Sequence, residues 1–198
     1  KAVNCSSPEN GEPDNLCEMC RAADEGHALD VIEIDAASNR GIEEIRSLRE
    51  KARYAPSESS YKVYVLDEAH MLTDFAADAL LKTLEEPPPH VIFILATTDP
   101  MRLPATIPSR CQRFDFRRIS SNELLSRLET ICTEEQIPYE IEALRTVARV
   151  TAGSLRDACN ILEQAVTSHG TALNLATLQS LLGLSQDESA LKLARYAL

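Results

Sequence analysis

No apolar run in this chain approaches the roughly 18 residues that a helix needs to cross a bilayer, so no membrane partner is expected. Lys1 is followed at once by polar sequence, not by the apolar core of a secretory leader. The first residue is not Met, and the chain is expected to be a piece of something longer. Basic residues are in deficit: 20 Lys and Arg stand against 31 Asp and Glu, for a net charge of −11. That argues against a broad basic surface for wrapping DNA, though not against local phosphate contacts from helix N-termini and a few basic side chains. A disulfide framework is lacking as well. Cys5, Cys17 and Cys20 crowd the N-terminus, while Cys111, Cys132 and Cys159 are scattered through helical or buried patterns. Thiols placed this way fit a cytoplasmic protein with one metal cluster. The largest gap is a motif: no G-x-x-x-x-G-K-[ST] phosphate loop occurs anywhere.

What is present is a globular composition, 44% hydrophobic and 26% charged, long enough for one large or two small domains. The chain is organised around Lys62-Val63-Tyr64-Val65-Leu66-Asp67-Glu68-Ala69-His70. A continuous apolar run reads as a buried parallel strand. It ends in two carboxylates, at the sheet edge where open α/β folds place their ligands. In a nucleotide hydrolase the first acid holds Mg²⁺ and the second orients a water; the plain alternative is a solvated Asp-Glu loop. Leu29 to Asp35 reads as a strand before it. A helix follows, with Ile42, Ile45, Leu48 and Ala52 on one face, stopping near Tyr54. After the central strand a helix with Leu80, Leu81 and Leu84 buried runs to Glu86, where Pro87-Pro88-Pro89 ends it. The third strand, Val91 to Ala96, also finishes in polar residues, Thr97-Thr98-Asp99, which could equally be capping or turn chemistry. Arg113-Phe114-Asp115-Phe116 alternates and reads as a short edge strand.

From Ser120 the strand signals vanish. Ser120-x-x-Glu123 is a capping box opening a helix with Leu124, Leu125, Leu128 and Ile131. Another carries Ile141, Leu144 and Val147 and ends at Gly153. Ser154-x-x-Asp157 caps a third, with Leu155, Ala158, Ile161, Leu162 and Ala165 inward. Asn174 to Leu182 and Gln186 to Leu198 read as two more. The expected architecture is an α/β domain over 1–118, a small helical domain over 119–184, and the start of a third helical unit over 185–198.

Near the N-terminus, Cys17-Glu18-Met19-Cys20 is a chelating knuckle, because both thiolates can turn toward one ion. Cys5 offers a third sulfur, and Asp14, three residues before Cys17, offers a carboxylate. A Zn²⁺ site at 5–20 is expected; the alternatives are His27 as fourth ligand, or free thiols at a helix start.

Asp67-Glu68 after one strand, Thr97-Thr98 after the next, Arg110 on a tight connector and Arg156 at the start of a capped helix come in an order that resembles the AAA+ P-loop ATPases. The wording is closer still. Asp67-Glu68-Ala69-His70-Met71-Leu72, Ala79 through Pro88, Leu95-Ala96-Thr97-Thr98-Asp99-Pro100, Ser109-Arg110-Cys111 and Gly153-Ser154-Leu155-Arg156-Asp157-Ala158 resemble the gamma/tau subunits of the bacterial DNA polymerase III clamp loader. The resemblance covers essentially the whole chain.

It implies an ATP-driven subunit that works with other clamp-loader subunits to open a sliding clamp and load it onto primer–template DNA. It implies Asp67 on Mg²⁺, Glu68 polarising water, and Thr98 (or Thr97) sensing the γ-phosphate. Arg156 would reach ATP in its own subunit, and Arg110 ATP on a neighbour. The family has four zinc cysteines; here Asp14 stands in place of one. It also has its phosphate loop ahead of the zinc module, which would put that loop before Lys1. These residues alone are therefore expected to lack ATPase activity, and the intact protein to have it. Three rivals stand beside this reading. A catalytically silent delta-prime-like subunit would have a decayed phosphate loop. A helicase, suggested by Asp67-Glu68-Ala69-His70, would need a second motor domain. A non-enzymatic zinc-binding interaction module would leave the polar strand ends and both arginines unexplained.

Overall fold

The computed structural model describes residues 1–169 and 172–183. Its contacts divide the chain into two units, one of residues Lys1–Phe114 and one from Asp115 onward.

In the first unit, α1 (Glu18–Asp24) precedes β1 (Val31–Asp35), α2 (Ile42–Ala52), β2 (Lys62–Asp67), α3 (Asp74–Glu85) and β3 (Val91–Leu95). The strands form a parallel sheet in the order β1-β2-β3, with Ile34 opposite Leu66 and Leu66 opposite Leu95. Parallel neighbours need a crossover, and α2 and α3 supply one each. Strand side chains alternate, and the two faces differ accordingly. Tyr64 and Leu66 face a core made with Ile45, Leu48 and Ala52 of α2 and Ala76 and Leu80 of α3. Tyr64 stacks on Phe93, the ring centroids 5.5 Å apart. On the other face, Val63, Val65, Ile92 and Ile94 line a cavity of about 290 Å³ with Met19 and Ala22 of α1.

β1 begins two residues later than its apolar pattern suggests, because Asp30 has another task. The residue is 3% exposed, and its carboxylate is fully engaged. It accepts hydrogen bonds from the backbone N–H groups of Ser57, Glu58 and Ser59 and from the Ser59 hydroxyl. This ties the loop before β2 to the start of β1. In α3, Leu81 and Leu84 are only half-buried, and the fully inward positions are Ala76, Ala77 and Leu80. The edge strand expected at Arg113–Phe116 does not form. Among the described residues no strand lies along the outer edge of β3 to extend the hydrogen-bond ladder to this segment.

The second unit is helical: α4 (Ser121–Glu134), α5 (Ile141–Val150), α6 (Leu155–His169) and α7 (Leu175–Leu182). The capping box at Ser120 and Glu123 is formed in both directions. Leu124, Leu128, Leu144, Val147, Leu162 and Leu178 share one core, each such aliphatic side chain contributing about 2 kcal/mol by leaving water. The third helical unit expected from 185 lies outside the described residues.

Candidate active site

The sheet's hydrogen bonding runs past the ends of the strands and fixes the loops that follow. Ala36 N–H donates to the Asp67 carbonyl (2.9 Å), Ala96 N–H to that of Leu66 (2.9 Å), and Ala69 N–H to that of Ala96 (2.8 Å). Asp67 and Glu68 therefore emerge between the end of β1 and the segment Ala96–Thr98. Asp67 accepts its neighbour's N–H on Oδ1 (2.9 Å), which leaves its other oxygen for a cation or a cation-bound water.

Glu68 sits in the left-handed region, at φ 47° and ψ 45°. For a residue with a β-carbon this costs roughly 1–2 kcal/mol, and residues held so cluster at functional sites. The turn aims the Glu68 side chain across the sheet edge toward the end of β3. There Oε2 accepts from the Thr98 hydroxyl (2.9 Å) and lies 3.2 Å from His70 Nδ1. Thr97 has a different job. Its Oγ1 lies 2.9 Å from His70 Nδ1 and accepts from Asp99 N–H at 3.1 Å. Two adjacent threonines that the sequence could not separate thus divide: one holds the carboxylate, the other the histidine.

Arg110 is not brought to this edge. Its Nε and Nη2 both donate to Glu85 Oε1 (2.9 and 2.6 Å), and Nη1 donates to the Thr106 carbonyl (2.8 Å). Glu85 is the last residue of α3, about 16 Å of helix beyond its first. Arg156, in the second unit, is exposed, and its side chain forms no hydrogen bond or ion pair among the described residues.

The N-terminal cluster does assemble. One ligand atom each from Cys5, Asp14, Cys17 and Cys20 lies within 4.8 Å of all the others. Cys5 and Cys17 Sγ are 3.9 Å apart, close to the ~3.8 Å between thiolates of a tetrahedral zinc site. Asp14 turns Oδ1 to the N–H groups of Leu16 and Cys17 (3.0 and 3.1 Å). The N–H groups of Cys17 and Leu16 hold its carboxyl well below the usual range. Ser6 lowers the Cys17 thiol to about 7, whereas burial pushes Cys20 up to about 12. A divalent cation among three sulfurs and one carboxylate fits this donor set, and His27, paired with Glu25 instead, is not part of it.

Two participants were invisible in the sequence. His70 enters because Glu68 turns left-handed and carries the chain back under its own side chain. Glu85 enters because the connector after β3 returns Arg110 to the end of α3. Neither spacing is a signal by itself.

With this geometry in place, likeness to known proteins is informative. The Thermotoga maritima RuvB Holliday junction branch migration motor superposes with a TM-score of 0.64 at 14% identity, over 83% of this chain and 55% of that one. The fold is that of the AAA+ P-loop NTPases, a parallel sheet with helices followed by a helical lid domain. Residues 1–120 match the family model described as DNA polymerase III, delta subunit, and residues 123–171 the one described as DNA polymerase III clamp loader subunit, ATPase lid domain. DNA polymerase III subunit tau of Bacillus subtilis is 51% identical over 88% of this chain and 31% of its own length. For the tau subunit of Escherichia coli the figures are 43%, 98% and 30%. The gamma subunit of Buchnera aphidicola from Schizaphis graminum is 40% identical over 100% of this chain and 54% of its own length. The chain belongs to the DNA polymerase III clamp-loader subunits, and it spans about a third of the length of the tau relatives it matches.

Proposed function

We propose that these residues are the hydrolytic half of an ATP site in a clamp-loader subunit of a replicative DNA polymerase, one that opens a sliding clamp and loads it onto primer–template DNA. The observation that supports this most is the meeting of Asp67, Glu68 and Thr98 at the carboxyl edge of β2 and β3. Phosphoryl transfer is catalysed mainly by positioning and by neutralising developing charge, and the arrangement offers both. Asp67 would hold Mg²⁺, which would supply positive charge at the phosphates. Glu68 polarises the attacking water. Thr98 senses the γ-phosphate, a role that its bond to Glu68 favours over Thr97. Arg156 reaches ATP in its own subunit. Arg110, held away from Glu68, reaches ATP on the neighbouring subunit of a hetero-oligomer. Zn²⁺ at Cys5, Asp14, Cys17 and Cys20 clamps the loop that precedes α1. No helix among the described residues is long and apolar enough to cross a membrane, in keeping with a cytoplasmic replication protein.

The test is ATP turnover by the intact subunit assembled with its partners. Glu68→Gln keeps the shape of the side chain but not its basicity. We expect kcat to fall by about 10²- to 10³-fold with nucleotide affinity retained. Residues 1–198 alone should show no turnover. An intact assembly whose turnover is unaffected by Glu68→Gln would overturn the assignment.

A further inference from the structure

We propose that His70 is the positioning residue for Glu68: its Nδ1–H fixes the carboxylate, and it couples that carboxylate to the segment after β3 that carries Thr97 and Thr98. The proposal rests on Glu68 as the water-orienting acid and deepens that reading.

Three observations carry it. First, His70 is a nearly enclosed polar side chain, 9% exposed, against 36% for Glu68. Its Nδ1 faces two oxygens at once, Thr97 Oγ1 at 2.9 Å and Glu68 Oε2 at 3.2 Å. An ionised carboxylate has no proton to give, so Nδ1 beside it must carry the hydrogen. That N–H is hydrogen-bonded to Thr97 Oγ1, and the carboxylate oxygen lies beside the same nitrogen at 3.2 Å, within reach of a small ring rotation. Second, every contact of the Glu68 carboxylate falls on one oxygen. Oε2 takes the Thr98 hydroxyl, the more distant Thr98 N–H at 3.4 Å, and the approach of His70. Among the described residues Oε1 takes none, and it is the atom left to accept from a water. Third, the anchoring is rigid on the histidine side. Thr97 Oγ1 also receives Asp99 N–H, and Ala69 N–H is bonded to Ala96. His70 is thus pinned to the β3 loop from both ends.

The consequence concerns what happens when Thr98 turns its hydroxyl to a phosphate. Glu68 then loses its shortest bond. Without a second tether, a side chain with three rotors on a left-handed backbone would scatter among rotamers, and misplacing a reacting group by about 1 Å costs on the order of 10²-fold in rate. His70 supplies the second tether. It touches neither ATP nor the attacked phosphorus, so it acts through Glu68.

The experiment compares His70→Asn, His70→Gln and His70→Ala in the intact subunit within its assembly. Asparagine places its amide nitrogen near the position of Nδ1, whereas glutamine reaches toward Nε2. We expect His70→Ala and His70→Gln to lose roughly 10- to 100-fold in kcat while the affinity for a fluorescent ADP analogue stays within about twofold. His70→Asn should recover most of the loss. Melting temperatures identify any variant that fails to fold; if alanine does, the asparagine–glutamine pair still decides. Wild-type kcat in His70→Gln, or equal impairment of a folded His70→Asn and His70→Gln, overturns the proposal. So does a loss that falls on nucleotide affinity rather than kcat. Because Glu68→Gln is measured beside them, failure of the underlying reading is distinguishable. In that case Glu68→Gln turns over like wild type, whereas failure of the His70 proposal leaves Glu68→Gln dead and His70→Gln active.

Discussion

A carboxylate whose backbone is strained and whose oxygen is already claimed behaves differently from a solvated one. Glu68 spends conformational energy to face β3, where the Thr98 hydroxyl holds it and His70 Nδ1 lies 3.2 Å away. Asp14 is organised in the same manner: Oδ1 is committed to two backbone N–H groups, which leaves the other oxygen directed by the turn it stabilises. If Asp14 is a metal ligand, Asp14→Asn keeps the turn, because the amide oxygen still accepts both N–H groups, but removes the charge. We expect zinc affinity to fall at least about tenfold, read by competition with a chelating dye, with the fold of the first unit unchanged. Asp30 makes the complementary case, an acid with a structural task. Burial works against its ionised form, but the N–H groups of Glu58 and Ser57 and the Ser59 hydroxyl outweigh it and hold its carboxyl below the usual range. A depressed native pKa means that this stabilisation is fully present above the unfolded value of about 3.9. It is lost as pH falls through the native value. Asp30→Asn should cost about 2 kcal/mol at neutral pH. Urea denaturation should show that deficit shrinking as the medium becomes strongly acidic.

Elements are set mostly by their ends. α4 starts where the Ser120–Glu123 box closes, and α3 stops at a proline run that cannot continue it. The junction of α5 and α6 is tighter. Ala152 and Gly153 both have positive φ, 47° and 90°, and a β-carbon on Gly153 would lie 2.6 Å from the Ile119 carbonyl. Gly153 N–H aside, its carbonyl accepts from Ile119 N–H, so the glycine lets the end of α5 close on the segment that precedes α4. It thereby delivers Ser154 as a cap and Arg156 into the first turn of α6. Gly153→Ala should destabilise by about 3 kcal/mol, since the neighbour it meets is backbone and cannot rotate away. Ala152→Gly, at an exposed left-handed position, should stabilise by about 1 kcal/mol. Midpoints of urea unfolding at unchanged slope would measure both.

For the whole molecule, the question is where each arginine works. Arg110 is tied to Glu85 at the far end of α3 from the turn that carries Glu68. An arginine held there suits a role on a neighbour's ATP, which would make hydrolysis depend on assembly. Arg110→Ala should leave nucleotide binding by its own subunit intact. It should abolish the rate increase on assembly, a loss of about 10³-fold. Turnover measured with the isolated intact subunit and with the complete assembly separates the two effects.

The sequence by itself determined the elements and their order. A short continuous apolar run of β-branched residues reads as a buried strand, a capping box opens a helix, and prolines end one; Asp67-Glu68 and Thr97-Thr98 were legible because polar residues that close buried strands stand out by contrast. Cys5, Asp14, Cys17 and Cys20 were legible as a donor set because spacing alone lets two thiolates face one ion. Only the tertiary structure decided which threonine meets the acid, that His70 joins them, that Glu85 holds Arg110, and that Arg113–Phe116 forms no strand. Each of these turns on how the chain re-enters space after a strand end, through one left-handed residue or one connector, and a local pattern of residues does not encode the direction of that return.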